Sequence, residues 1–327
     1  MDRVTTFSAY NNVISNLMSA EVRQNQANIQ MSSGKVADDL KGFGGNAEAL
    51  TAAQTLKSRV AGFVDTAKSL SAQLNAQDLA LTQVADSSQG ARQTIANAVA
   101  SGSADGLMTA LQSYFGQAVA GLNTQYNGHY LFSGGKVNTQ PVSATSMSDL
   151  ITTPPVPPNP PNNPSPWTPD PATTFNNTFQ NDQLAATSRL DESTTIQTGM
   201  LASNIGSGVF NAFAQVEAFQ QSSGQPFSGK LTQSQTDFLT GMLHTFDTAT
   251  QGMTNTVATN GLAQDRVAQS ETTQQDRQTL LTTMVGGITD VDMAETASKL
   301  SQAQTALQAS AQIFASLQNT TLLNYLK

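Results

Sequence analysis

Few residues in this chain could do chemistry, and their spacing argues against it. The two histidines, His129 and His244, stand far apart in sequence, and neither has metal-ligating neighbours at zinc-like spacing. With no cysteine anywhere, thiolate metal sites and disulfides are excluded. Gly134-Gly135-Lys136 and Gly34-Lys35 are reminiscent of a phosphate loop, but both lack its upstream glycine and the Ser/Thr that follows its lysine. No Gly-x-Ser-x-Gly elbow occurs. Paired carboxylates at Asp38-Asp39 and at Asp290, Asp292 and Glu295 could in principle move protons. Each group borders an expected helix start, where negative charge complements the backbone dipole, so capping accounts for them. The sequence predicts no enzyme, no cofactor and no metal.

The elements that would hold any site are long helices. Ala53, Leu56, Val60, Phe63, Ala67, Leu70, Leu74, Gln77, Leu81, Val84, Ser88, Ala91, Ile95 and Ala98 recur at alternating steps of three and four. That rhythm keeps one stripe of a helix facing a partner. At 1.5 Å per residue, such a helix is roughly 70 Å long. A compact ball of this chain length would be only about 50 Å across. A second seam runs Leu239, Met242, Phe246, Ala249, Met253, Thr256, Asn260, Ala263 and Val267, with a break expected at Gly286-Gly287. The 12% charged and 6% aromatic content suits close helix packing through small side chains better than a globular core. The reading is mainly α with a small β insertion: an elongated antiparallel coiled-coil rod with its terminal helices paired.

Helix, break, long helix, β region, long helix, break and helix follow one another almost as a mirror. Three domains follow from that order: residues 1-45 with 288-327, residues 46-133 with 208-287, and an outer β-containing domain, 134-207. The strands are expected around His129–Ser133 and within 185–200, between turn signals such as Asn127-Gly128. Ten of the twelve prolines fall within 154-171, a stretch read as an extended spacer. Thr289 and Asp292 have the spacing of a capping box for the last helix.

A net charge of −8 argues against nucleic acid, whose phosphates call for a basic face. No apolar run is long enough for membrane insertion, and the first residues lack the basic and apolar blocks of a secretory signal. The ends are unusual in being amphipathic. The first helix is read with the seam Phe7, Tyr10, Ile14, Leu17, Glu21, Gln24, Asn28 and Met31, polar in its middle. The last is read through Met293, Ala297, Leu300, Gln304, Leu307, Ala311, Phe314 and Leu317, then Leu322, Leu323, Tyr325 and Leu326. Two such helices cover one stripe each, and large exposed apolar stripes mark interaction surfaces. The larger apolar members, Phe7, Tyr10, Ile14, Leu17 and Met31 of the first seam and Met293, Leu300, Leu307, Phe314 and Leu317 of the last, together with those last four residues, are therefore the expected assembly interface of a helical oligomer.

Ile29–Val36 resembles the turn after the first helix of flagellins, and Ile288–Glu295, continuing through Leu300, Gln304 and Leu307 to Leu322–Leu326, resembles their last helix. Gly128–Gly134 through Thr139-Gln140-Pro141, and Ile196–Gly199 with Ala202, Asn204 and Phe210, are more similar to the hook-associated protein 3 family of hook–filament junction proteins. The chain departs from the pattern at Ala37–Gly42 and in the proline tract. The resemblance implies a flagellin-like structural protein of the bacterial flagellum, secreted through type III export with a chaperone. It also implies a homo-oligomeric ring between the adjacent hook-associated junction protein and flagellin. A filament flagellin and a cytosolic coiled-coil scaffold are the alternatives.

Overall fold

A computed structural model describes residues 2–151, 178–222 and 226–323. The proline tract lies outside the described residues. Six α-helices carry most of the rest: α1 Asp2–Ser33, α2 Ala47–Ser101, α3 Leu107–Leu122, α4 Ala202–Ser222, α5 Gln233–Thr289 and α6 Met293–Leu323. The described strands form two antiparallel hairpins, β1 Gln125–Tyr126 with β2 His129–Tyr130 and β3 Thr187–Arg189 with β4 Thr195–Gln197. The mainly α fold with a small β insertion is as the sequence predicts.

Contacts group the chain into two units. One comprises residues 62–274. There α2 and α5 run antiparallel, with Ser88 Oγ 2.9 Å from Thr250 Oγ1 and Asn260 Nδ2 donating to the Leu74 carbonyl at 3.0 Å. The seam read from the sequence of α2 is buried almost position for position, from Ala67 and Leu74 through Leu81, Val84 and Ala91 to Ile95. Its polar members have partners: Gln77 donates to the Thr198 carbonyl, and Ser88 meets Thr250. Leu56 departs from the seam, being 44% exposed.

Glycine allows close approaches between helices in this unit. A Cβ on Gly90 would lie 2.3 Å from the Tyr114 ring of α3, and one on Gly121 would lie 2.8 Å from Val84 Cγ2. Phe115 of α3 packs its ring on Phe210 and Phe213 of α4, and Phe213 meets Phe246 of α5 edge-on. Burying such rings removes large apolar areas from water and is the main stabilising term here. Val142, Met147 and Leu150 are buried in the same cluster. A smaller cluster joins Ala67, Leu70 and Leu74 to Val267 and to Leu190 and Ile196 of the β3–β4 hairpin.

The β1–β2 hairpin turns at Asn127-Gly128, whose positive φ values of 52° and 80° are those of a two-residue hairpin turn. Ser133 then makes an isolated bridge to Leu201, so the strand expected across His129–Ser133 is shorter than the turn signals imply. In the β3–β4 turn the Asp191 carboxylate accepts from Ser193 N and Thr194 N, both at 2.7 Å.

The second unit comprises residues 1–61 and 275–327. The break expected at Gly286-Gly287 falls three residues later, because both glycines continue α5 and Asp290 N donates to the Gly286 carbonyl at 2.8 Å. Glycine weakens a helix without necessarily ending it. Thr289 does not cap α6 either. Asp292 does, its Oδ1 accepting from Ala294 N and Glu295 N. Asp39 similarly accepts from Gly42 N at the head of a 3₁₀ turn over Leu40–Asn46.

Candidate functional site

The residues that might have carried chemistry are not brought together in the fold. His129 pairs with Asn138 on the surface, and His244 is an exposed residue of α5. The glycine pair after β2 does not cradle a phosphate. Its Gly135 N–H donates to Asp182 Oδ1 at 2.9 Å, and a Cβ on Gly134 would lie 2.2 Å from that same oxygen. The Gly135 amide, with that of Leu184, holds the Asp182 carboxyl below its usual range. No cluster of three or more metal-ligating side chains occurs among the described residues, and no described helix is long and apolar enough to cross a membrane.

What remains is the pair of terminal helices. α1 and α6 run antiparallel: the Tyr10 ring lies 5.2 Å from that of Phe314, and Lys35 bridges Asp290 at the other end. The described seam reads Val13, Leu17, Ala20, Gln24, Ala27 and Met31 on α1, and Thr296, Leu300, Ala303, Leu307, Ser310 and Phe314 on α6. Ala20, Ala27, Ala303 and Thr296 are the buried members, and the larger side chains are half-buried.

This corrects the phase of the seams read from the sequence. Leu17, Gln24 and Met31 face α6, and Leu300, Leu307 and Phe314 face α1, within the subunit. The intervening steps go to Ala20 and Ala27 in place of Glu21 and Asn28, and to Ala303 in place of Gln304. Small side chains let two backbones approach closely, and the exchange leaves a charge and two amides in water. The middle of the α1 seam is therefore small, with one amide, and not a run of polar residues.

Of the other residues assigned to the interface, Ile14 is half-buried, Tyr10 is at the margin of exposure and Met293 is exposed. The side chains of Phe7, Leu317, Leu322 and Leu323, and the whole of Tyr325 and Leu326, fall outside the described residues. A surface the sequence reading missed lies on the outer side of α1. Met18, Val22 and Ile29 are 60%, 64% and 50% exposed and recur at helical spacing. Ile14, Met18 and Val22 line a shallow groove there with Asn11 and Arg23. The signal was legible as a second apolar stripe, but a single seam traced from Phe7 passes it by.

Comparison with known proteins finds a family match at the C-terminal end and a shared fold. Residues 243–326 match the bacterial flagellin C-terminal helical region. That stretch holds most of α5 and all of α6, so the resemblance read at the C-terminal end is borne out by an independent match. The fold is shared with the structure of a putative flagellar hook-associated protein from Vibrio parahaemolyticus, at 16% identity and a TM-score of 0.56, over 76% of this chain and 98% of that one. The crystal structure of Bacillus cereus FlgL aligns at 14% identity and a TM-score of 0.49, over 72% and 98%. The curated proteins contain no match. The chain is thus flagellin-like in its C-terminal helical region and shares its fold with that Vibrio structure.

Proposed function

We propose that this protein is a hook-associated subunit at the junction between hook and filament, where a ring of its copies templates flagellin assembly. Its partners in that reading are further copies of itself, the adjacent hook-associated junction protein and flagellin. An export chaperone delivers it unfolded to the type III apparatus, and it works outside the cell. The observation that carries the reading is the terminal pair. Its two helices cover only one stripe of each other, leaving Met18, Val22 and Ile29 of α1 and Ile313 of α6 exposed. An apolar stripe of that size in a helical subunit is satisfied by neighbouring subunits. The fold likeness to a protein described as hook-associated supports the same assignment.

The test uses Met18→Asp and Val22→Asp in the chromosomal copy. Both positions are exposed within the subunit, so folding and secretion should be unchanged. Placing a charge in a buried subunit contact costs several kcal/mol unless the group neutralises. Cells carrying the double variant should make hooks, lose flagellin to the medium and fail to swim. Normal swimming would remove the outer α1 stripe as an assembly surface.

A filament flagellin is the second reading, favoured by the match of residues 243–326 to a flagellin C-terminal region. Purified protein that polymerises by itself into long filaments would establish it, because a junction subunit stops at a ring.

A further inference from the structure

The seam between α1 and α6 carries a degeneracy. On α1, Val13, Ala20 and Ala27 recur every heptad, alternating with Leu17, Gln24 and Met31. On α6, Thr296, Ala303 and Ser310 do the same, alternating with Leu300, Leu307 and Phe314. Sliding one helix past the other by a heptad sets small side chains against small ones and larger against larger again, with a layer lost only at an end. Coiled coils usually fix register with a layer that tolerates no substitute. Among its described residues this seam has only two uneven members, the Tyr10–Phe314 ring pair at its end and the single amide of Gln24, and a heptad slide costs it that one ring contact.

The helices are also tethered unequally. α6 follows α5 after only residues 290–292, whereas α1 reaches α2 through residues 34–46, with glycines at 42, 44 and 45. Of the two, α1 has the slack to slide.

Where that slack begins, the two breaks are joined. Gly34, at φ 68°, turns the chain out of α1. Val36 N then donates to the Thr289 carbonyl at 2.7 Å, and Val291 N donates to the Gly34 carbonyl at 3.1 Å. Around this bridge of Lys35 with Asp290, Lys35 Nζ reaches Asp290 Oδ1 at 2.5 Å and Gln30 Nε2 donates to the Val36 carbonyl at 2.9 Å. Thr289 is buried, 7% exposed.

We propose that this two-rung antiparallel stitch, residues 34–36 on residues 289–291, sets the register of the terminal helix pair, which the helix seam alone leaves open. Backbone hydrogen bonds at fixed residues admit one alignment, because a slide of α1 by a heptad pulls both rungs apart. The proposal concerns the single subunit and stands whether or not the junction reading holds.

The chain has no cysteine, so engineered pairs report register without background. Tyr10→Cys with Phe314→Cys reads the observed alignment, while Tyr10→Cys with Leu307→Cys and Leu17→Cys with Phe314→Cys read the two heptad slips. In the otherwise unchanged full chain, the first pair should cross-link at least about tenfold faster than the others, as expected when one state dominates. Val36→Pro with Val291→Pro deletes both donor N–H groups, and Ala37→Pro is the control that leaves them. In the double proline variant the slipped pairs should rise to within about threefold of the first, with far-ultraviolet dichroism retained. Adding Ala20→Leu with Ala303→Gly, which makes one layer unique, should restore a single alignment. An unchanged preference for the 10–314 pair, loss of the terminal helices' dichroism, or failure of that pair to cross-link in the stitched chain would each overturn the proposal.

Discussion

Asp191 shows how a residue that looks reactive is used for shape. Its carboxyl is drawn down from 3.8 to about 2, chiefly by the backbone N–H of Ser193, with Thr194 contributing. A depressed acid stabilises the fold above its unfolded value and ceases to do so as pH falls through its folded one. The β3–β4 turn should therefore keep its full stability above pH 3.8 and lose this contribution between that value and about 2. Protection of the Ser193 and Thr194 amides, relative to their intrinsic exchange at each pH, should fall across that window in the parent chain and show no such step in Asp191→Asn. The opposite case is Phe115, fully buried among Phe210 and Phe213. Phe115→Ala should destabilise the unit of residues 62–274 by about 3–5 kcal/mol, seen as a lower thermal midpoint. Gly121→Ala at the α2–α3 contact should cost about 1–3 kcal/mol, since Val84 and the Ala80 carbonyl already occupy the space.

Among the elements, α1 and α6 differ from the rest in what they leave uncovered. The seam of α2 is sealed by α3, α4, α5 and the β3–β4 hairpin, so its apolar residues are spent within the unit. The terminal helices pack chiefly on each other. Phe314 lies against Tyr10 in that pair, so Phe314→Asp should disturb the pair as well as any later assembly. Circular dichroism of the variant should show some loss of helix, while melting of the unit formed by residues 62–274 stays near normal. A variant that swims normally would show that neither the pair nor its assembly depends on this ring. Met18→Asp is the cleaner probe of the outer surface, because its side chain meets solvent in the subunit.

For the whole molecule, the division into two units separates a part that is sealed within the chain from a part that is not. The segment between Ile151 and Thr178 enters and leaves close to the packed cluster: Ser143 N donates to the Thr178 carbonyl at 3.0 Å, and Leu150 is fully buried. Shortening the proline tract between those anchors should leave the thermal midpoint within a few degrees and assembly intact, since the entropy of closing a loop changes slowly with its length. Loss of motility with unchanged melting would mean that the tract itself binds a partner.

Helix identity and the paired seams were legible in the sequence because they are periodic properties of a local chain. Leu74, Leu81, Val84 and Ile95, like Phe246, Met253 and Val267, are buried where spacing placed them. Turn chemistry was legible for the same reason at Asn127-Gly128 and at Gly34. The similarity to flagellins needed only short stretches of residues near each end. Phase within a weak seam was not legible. Glu21 and Ala20 are both compatible with steps of three and four, and only the facing helix decides which of them enters the contact. Nor could spacing show that Gly286-Gly287 stays helical, or that the break falls where residues 34–36 are waiting to pair with it. Those outcomes depend on contacts between residues some 250 positions apart in the chain, as Lys35 and Asp290 are, and no local pattern records them.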